Sequence, residues 1–554
     1  MPKLYQKIVQ ELIKKPYKNR NDFELHKKRL CGKYEVQPMM NSVLIKAYRE
    51  LLQKGLIKKN LNFEKLTIAR ETRTISGVTP VTVLTKPYQC PGQCIYCPHE
   101  TNMPVSYLSN EPAAQRAKGL NFNPYKQVQY RIKALETNGH VVDKIELLVL
   151  GGSWNAYTRS YQNNFIAKCF QAANDYPRNK GKVKTTLEKE LKKNEKTKYR
   201  IIGETLETRP DLVDQKEIIA MREQGCTRIQ LGVQHTDDKI LEKVKRGHTQ
   251  KEIIKATKLC KQAGIKVDYH LMPDLPFSNP TQDFKMFQKV FSNPDYQPDQ
   301  IKIYPCVVTK EARPLYKLFK EKKYTPYTKK QLLDLLIKIK SQTIPYYVRI
   351  NRLIRDIPSE SIVAGNRITN LRQSVQLELG KKNLRCKCIR CREIKNQSLG
   401  SARDREFKLS DAKLFIEKYS ASDGMEYFIS YENKERDKLY AFLRLRFNDA
   451  CPRQAAGLAR DSKNNFIPEL NNASIVREIH AYGKLVAHGK KKSDTAELSS
   501  AQHMGFGKKL MLEAEKLSKK NKYQKIAVIS GIGVREYYRK LGYILEGTYM
   551  TKKI

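Results

Sequence analysis

Three thiols fall within eight residues in Cys90-Pro-Gly-Gln-Cys94-Ile-Tyr-Cys97. They follow the apolar run Thr79 to Thr85, so they sit on a loop leaving a strand end. Such a loop can wrap three thiolates around a 4Fe–4S cube and leave one iron open to a substrate or cofactor. Zinc is the other reading, with His99 as a fourth ligand. A second triplet, Cys386-Lys-Cys388-Ile-Arg-Cys391, lies in a polar, basic stretch with no catalytic pattern around it. It suggests structural zinc, with the fourth ligand elsewhere, fixing the shape of a linker too poor in apolar residues to fix its own. The third signal is Gln502-His-Met-Gly505-Phe-Gly507, just before an amphipathic run that reads as a helix to Lys520. Glycines opening a helix expose backbone N–H groups that can cradle a pyrophosphate.

Between about 76 and 365, short β-rich runs alternate with amphipathic segments. The expected strands are Val81–Leu84, Ile145–Leu150, Arg200–Ile202, Arg228–Gly232, Val267–Leu271 and Ile301–Tyr304, with helices such as Pro124–Thr137, Gln215–Gln224 and Gln250–Ala263. That alternation predicts an α/β fold with parallel strands in an open or partial (β/α) barrel. Functional loops gather at the carboxyl ends of such strands, where the first cysteine triplet falls. Gly151-Gly152 follows the second strand and would let backbone approach a ligand. Glu204, Glu207 and Arg209 follow the third, where acceptors could hold ribose hydroxyls and the arginine a carboxylate. His235, Arg246, His248 and His270 also end or follow strands. Asn179 to Arg200 reads as a lysine-rich, mobile surface loop. From about 401 to 554 the pattern is α+β, with strands expected at Leu439–Phe447, Ser474–Tyr482 and Lys525–Ser530.

The chain carries 105 Lys+Arg against 57 Asp+Glu in 554 residues, a net charge of +48. An excess of this size implies a polyanionic partner, either nucleic acid or an acidic membrane surface, although a lysine-biased proteome would supply part of it. Residues 1–75 hold 18 basic and 7 acidic residues on short helices such as Leu4–Ile13 and Val43–Lys54. This is either a nucleic-acid grip or an arm that docks on the next domain. No run of eighteen uncharged apolar residues and no signal-peptide pattern is present, so the expected location is cytoplasmic, away from any membrane. There, clustered cysteines favour metal over disulfides. The expected division is a basic helical segment at 1–75, a barrel domain at 76–365, a cysteine-bearing linker at 366–400 and an α+β domain at 401–554.

The first triplet resembles that of the radical S-adenosylmethionine (SAM) enzymes, and Gln502–Gly507 resembles the acetyl-CoA loop of GNAT acetyltransferases. Joined in one chain, the two resemble the catalytic subunit of Elongator, the tRNA wobble-uridine acetyltransferase. The likeness runs through Gly203–Pro210, Arg246–Thr249, His270–Pro276, Arg355–Pro358, Val476–His480 and Lys525–Tyr543. It implies a TIM-like radical SAM half-barrel followed by a GNAT domain. Cys90, Cys94 and Cys97 would hold the 4Fe–4S cluster, and Gly151, Gly152, Glu207 and Arg209 would meet SAM. Lys144, Glu478, Ile479, His480 and Ala481 would face acetyl-CoA, as would Gln502, Gly505, Phe506, Gly507, Lys508 and Tyr538. Lys144, Tyr537 and Tyr538 are the implied catalytic residues.

The resemblance implies a cm5-type carboxymethyl group at C5 of uridine 34 in the tRNA anticodon stem-loop. Its two carbons would come from acetyl-CoA after a SAM-derived radical takes a hydrogen from the acetyl methyl. The wobble base would leave its stack to reach the cluster. Eukaryotic members space the first two cluster cysteines more widely and lack the Cys386/Cys388/Cys391 set. These departures point to a bacterial or archaeal member that works alone or as a homodimer, without the other Elongator subunits. The principal rival is a histone-type protein lysine acetyltransferase, the reading a GNAT domain alone would suggest.

Overall fold

The computed structural model describes residues 3–68, 77–181, 183–394, 411–448, 465–482 and 505–554. Helices α1 (Lys3–Lys14), α2 (Arg20–Lys33), α3 (Asn41–Gln53) and α4 (Leu61–Thr67) close on a small core of Ile8, Leu12, Phe23, Leu44, Tyr48 and Phe63. The bundle touches the barrel where Ile45 and Ile68 flank Gly139, whose φ of +87° disfavours a side chain and whose Cβ would stand only 3.0 Å from Ile45 Cδ1.

Seven parallel strands follow: β1 (Thr79–Leu84), β2 (Lys144–Leu150), β3 (Arg200–Thr208), β4 (Arg228–Gln234), β5 (Lys266–Leu271), β6 (Gln300–Ile303) and β8 (Arg349–Arg352). They hydrogen-bond in the order β1-β2-β3-β4-β5-β6-β8, with β1 and β8 as open edges, so the barrel is partial as expected. In β2 burial alternates residue by residue: Ile145, Leu147 and Val149 pack under the helices while Glu146 and Leu148 face a cavity. A two-stranded ladder of β7 (Val307–Val308) and β9 (Ala364–Gly365) lies outside this sheet.

Three expectations need correction. Strand β3 runs on to Thr208, so Glu204 and Glu207 lie within it; their charges interrupted the apolar run from which the strand was read. Glu204 is 1% exposed, lines neither of the two main cavities, and its carboxylate oxygens have no hydrogen-bond partner among the described residues. Burial therefore raises its carboxyl pKa well above the usual range, and a ribose role for it fails. The stretch 179–200 is not a solvated loop throughout. It contains the helix Leu187–Asn194, where Asn194 donates to the Tyr199 carbonyl and Glu190 accepts from Asn174. The third correction concerns the stretch after the barrel. The helix Leu371–Lys381 buries Leu371, Val375 and Leu379 in the barrel core, so this segment does fix its own shape.

The second sheet comprises β10 (Lys413–Ala421), β11 (Gly424–Glu432), β12 (Leu439–Phe447), β13 (Ala473–Ala481), β14 (Lys525–Val528), β15 (Ile544–Glu546) and β16 (Tyr549–Lys553). Its order is β10-β11-β12-β13-β14-β16-β15, antiparallel except for the β13–β14 pair. The helix Phe506–Lys520 covers it through Phe506, Leu510, Met511 and Ala514.

The two sheets share one continuous core that includes Ile475, Ile529, Ile532 and Tyr549 beside the barrel residues. Gly531 and Gly533 lie directly on β3: a Cβ at Gly531 would stand 2.0 Å from the Ile202 carbonyl oxygen, and one at Gly533 3.0 Å from that of Ile201. A buried ionic network also spans the junction. Arg477 pairs with Asp299 of the barrel (2.5 Å) and with Glu426 (2.8 Å), and Lys261 reaches Glu426 at 3.5 Å. Leaving one such charge unpaired costs about 3–5 kcal/mol, so the network fixes how the two halves meet. Glu195, in the corrected insertion, adds pairs to Arg535 (2.9 Å) and Arg539 (2.7 Å).

Candidate functional site

The barrel encloses a cavity of 1120 Å³ whose lining includes Cys90, Cys94 and Cys97, Gly152, Glu207 and Arg209. The three thiols are electrostatically unequal. Burial alone would raise the Cys94 pKa, but the Arg246 guanidinium, with Nη1 3.4 Å from Sγ, acts with Arg209 and the Tyr96 hydroxyl against it, and the thiol pKa falls below its ordinary value. Arg209 adds Nη1 at 3.9 Å. Cys97 is pushed up to about 12, first by burial and then by the neighbouring Cys94. Gly92 is required here: its Cβ would fall 2.1 Å from Arg209 Nη1, so only glycine lets that guanidinium reach the loop.

Arg209 is held by Asp211 at 3.0 Å and donates to the Arg246 carbonyl at 2.7 Å, which ties the third and fourth strand ends to the cysteine loop. Gly151 and Gly152 divide their work. A Cβ on Gly151 would strike Thr85 Oγ1 at 2.2 Å, whereas Gly152 lines the cavity; both have φ above +110°. Glu207 accepts from Tyr107 Oη at 3.0 Å and lies 3.5 Å from His270 Nδ1, with its pKa raised by burial against the pull of Lys302. Lys302 is itself held down to about 8, first by burial.

A second cavity, of 250 Å³, lies where the strands begin, between the barrel and β13. Glu478, Ile479, His480, Tyr537 and Tyr538 line it. Strand β13 is shaped for this. It pairs with β14 only as far as Val476, yet continues to Ala481, and its register with β12 shifts at Arg444/Leu445. Residues 477–481 therefore present an unpaired strand edge, which an extended amide chain can join. His480 has its Nε2 buried without a partner among the described residues, and burial lowers its pKa to about 4, so the imidazole is neutral near pH 7. Glu478 is taken by Lys266 (3.3 Å) and Arg444 (2.9 Å), so its side chain anchors the strand.

Of the other expected contacts, Gly505 is in the left-handed conformation (φ +75°) and opens the helix Phe506–Lys520 with no side-chain cap, leaving its first amides available. Phe506 is core, Lys508 is exposed, and Gly507 has no side chain because Tyr537 Oη would meet a Cβ at 2.9 Å. Gln502 lies outside the described residues. Lys144 opens β2 two residues before Glu146 and lines neither cavity. Ala481 ends β13 and also lines neither.

The two cavities share wall residues: Val78, Glu146, Arg228 and Arg349 line both. Arg228 pairs with Glu146 at 2.6 Å, and Arg349 with Glu393 at 2.7 Å and Tyr482 Oη at 3.2 Å. Sequence reading missed this wall because an arginine at a strand start looks the same whether it faces solvent or a lumen. Arg246 was missed as a thiolate partner for a similar reason, although its place after β4 was noted.

The Sγ atoms of Cys386, Cys388 and Cys391 lie within 4.8 Å of one another, the only such potential metal-ligand group among the described residues. Soft thiolates at that spacing fit a single zinc ion. The Cys90/Cys94/Cys97 set is not drawn together in this way, as suits a cube wider than one ion.

The sequence profile of the Radical SAM superfamily matches residues 86–285, and that of the Radical_SAM C-terminal domain matches 298–381. The tRNA uridine(34) acetyltransferase of Methanocaldococcus infernus is 42% identical over 498 residues, 88% of this chain and 87% of that protein. The protein of that name from Dehalococcoides mccartyi is 40% identical, covering 87% of this chain and 99% of its own length. Human Elongator complex protein 3 is 34% identical over 88% of this chain and 86% of its own. The solved structure of archaeal M. infernus Elp3 with an N-terminal deletion superposes with a TM-score of 0.70 at 38% identity, covering 87% of this chain and all of that one. Among the described residues no helix is long and apolar enough to cross a membrane.

Proposed function

The chain belongs to the tRNA uridine(34) acetyltransferase family, which includes Elongator complex protein 3, and from that premise we propose that it modifies the wobble uridine of tRNA, building a carboxymethyl-type group at C5 from the acetyl unit of acetyl-CoA. The observation that carries this reading is the shared wall: the cavity holding the cysteine loop and the cavity against β13 meet at Glu146, Arg228 and Arg349. A protein that only acetylated lysine would have no use for a thioester pocket backed onto a cysteine-lined barrel.

Cys90, Cys94 and Cys97 would hold a 4Fe–4S cluster, Gly152, Glu207 and Arg209 would contact SAM, and Gly151 would bring the Gly-Gly turn against Thr85. When bound, these groups supply the one-electron cleavage that starts radical chemistry at an otherwise unreactive carbon. The protein's own part is orientation. The free edge of residues 477–481 would pair with the pantetheine amides. The amides after Gly505 would meet the pyrophosphate, and neutral His480 with Tyr537 and Tyr538 would enclose the thioester. Lys144 would act from the edge of this region. Zinc at Cys386, Cys388 and Cys391 would hold the segment beside the barrel's open edge.

The test uses iron-reconstituted protein under anaerobic conditions. Wild type should form 5′-deoxyadenosine from SAM, and Cys94→Ala should form none while binding tRNA as before. Undiminished cleavage by the variant would overturn the assignment of the loop.

A further inference from the structure

The acidic groups of the larger cavity leave a distinct surplus of positive charge. Glu111 is taken by Arg355 (2.8 Å), Glu146 by Arg228 (2.6 Å), Asp356 by Arg352 (2.5 Å) and Glu393 by Arg349 (2.7 Å). Glu207 lies with Tyr107 and His270. Arg367, Arg372 and Arg390 line the same cavity and, among the described residues, pair with no carboxylate. Main-chain carbonyls hold each of them. Arg367 Nη2 donates to Ile362 O (2.7 Å) and Val363 O (2.8 Å), Arg372 Nη2 to Ile350 O (2.9 Å), and Arg390 Nη1 to Asn351 O (3.1 Å). The carbonyls of Ile350 and Asn351 belong to β8, an edge strand of the half-barrel, whereas the cysteine loop follows β1 at the other edge. A guanidinium has five N–H donors in a planar fork, so one or two bonds to carbonyl oxygens orient it and leave the rest for a ligand.

We propose that Arg372 and Arg390 at the β8 edge of the cavity, with Arg367 beside the β7–β9 ladder, form a phosphodiester-binding wall, which grips the RNA backbone while the base reaches toward the cysteine loop at the β1 edge. The inference rests on the tRNA reading above and gives it a location. Arginine forks match phosphate oxygens in pairs, and such contacts set register without reading sequence. This also gives the second cysteine triplet a purpose. Arg390 stands between Cys388 and Cys391 in the chain, and the Cys391 thiol lines the same cavity, so whatever fixes the thiols fixes the arginine. The competing role for Arg372 and Arg390 is to balance the charge of the thiolates alone. The competing source of phosphate is CoA itself.

The experiment measures binding of the full-length protein to an anticodon stem-loop RNA by fluorescence anisotropy across a potassium chloride series, with acetyl-CoA binding measured in parallel. For the pair R372Q/R390Q the expected result is at least tenfold weaker RNA binding, a plot of log K against log salt shallower by about 1.4, and unchanged acetyl-CoA affinity. R367Q, which lies outside the thiol triplet, carries the test should the pair disturb folding; its plot should be shallower by about 0.7. Wild-type RNA affinity and slope in all variants would overturn the proposal, as would loss of acetyl-CoA binding in place of RNA binding. Wild-type protein that fails to bind the stem-loop at all would instead overturn the tRNA reading.

Discussion

Arg246 Nη1 lies 3.4 Å from Cys94 Sγ, while its Nε donates to the Gly232 carbonyl at 3.2 Å. One guanidinium thus joins the end of β4 to the middle thiol of the loop. Adding an electron to a cluster held there increases its negative charge, and a fixed cation favours that state. Arg246→Gln should therefore shift the midpoint potential to more negative values. A hydrogen bond to a charged group contributes about 1.5 kcal/mol, which for one electron corresponds to roughly 60 mV. A redox titration followed by electron paramagnetic resonance checks this, with iron content measured alongside. An unchanged potential at full iron loading would remove Arg246 from the account.

The junction between the halves tolerates no added atom at Gly531. Gly531→Ala would place a methyl carbon 2.0 Å from the Ile202 carbonyl oxygen, a main-chain atom that cannot move aside as a side chain can. The expected cost is at least about 2 kcal/mol, the middle of the range for overpacking. Thermal unfolding of Gly531→Ala beside Gly119→Ala, where nothing lies within 4 Å, measures the difference.

Acid should loosen β13. Burial opposes ionisation of Glu478, but Lys266 and Arg444 prevail and hold its pKa at about 2 against an ordinary value of 4.5. A carboxyl whose folded pKa is depressed contributes stability that is fully present above pH 4.5 and lost as the pH falls toward 2. The contribution is about 3 kcal/mol. Urea midpoints at pH 6 and pH 3 should therefore differ more for wild type than for Glu478→Gln. Equal differences would show that the pair of cations does not act through this carboxylate.

The basic bundle α1–α4 is expected to share the RNA load. Deleting residues 1–75 should weaken stem-loop binding and flatten its salt dependence, because each lost phosphate contact reduces the slope by about 0.7 to 0.9. Full affinity after the deletion would reduce the bundle to a packing role against the barrel at Gly139.

Much of this arrangement could be read from the sequence where a local pattern was strong. Pro124–Thr137 and Gln215–Gln224 form helices with the expected bounds, and six of the barrel strands lie where alternation with helices put them. The short β8 escaped because Arg349-Ile-Asn-Arg352 is three-quarters polar, its polar residues lining the larger cavity. Strands β10 and β11 escaped because β10 exposes Leu414 and Ile416 on its outer face and carries Glu417 on its inner one, which breaks the apolar alternation, and because Glu426 and Glu432 are buried against arginines instead of apolar groups. The cysteine triplets and the Gly505/Gly507 turn were visible as types at a spacing. The shared wall of Glu146, Arg228 and Arg349 was not, since its members lie far apart in the chain, on β2, β4 and β8, and come to one end of the barrel only once that sheet is folded.

The central claim is that two carbons of a thioester pass to a wobble uridine through one protein. The most direct measurement supplies acetyl-CoA labelled with carbon-13 at both acetyl carbons, together with SAM, a low-potential reductant and an anticodon stem-loop RNA, and analyses the nucleosides by mass spectrometry. The account predicts a modified uridine carrying both labelled carbons, absent when SAM is omitted or Cys94 is alanine. Label on lysine side chains with the RNA unmodified would contradict it.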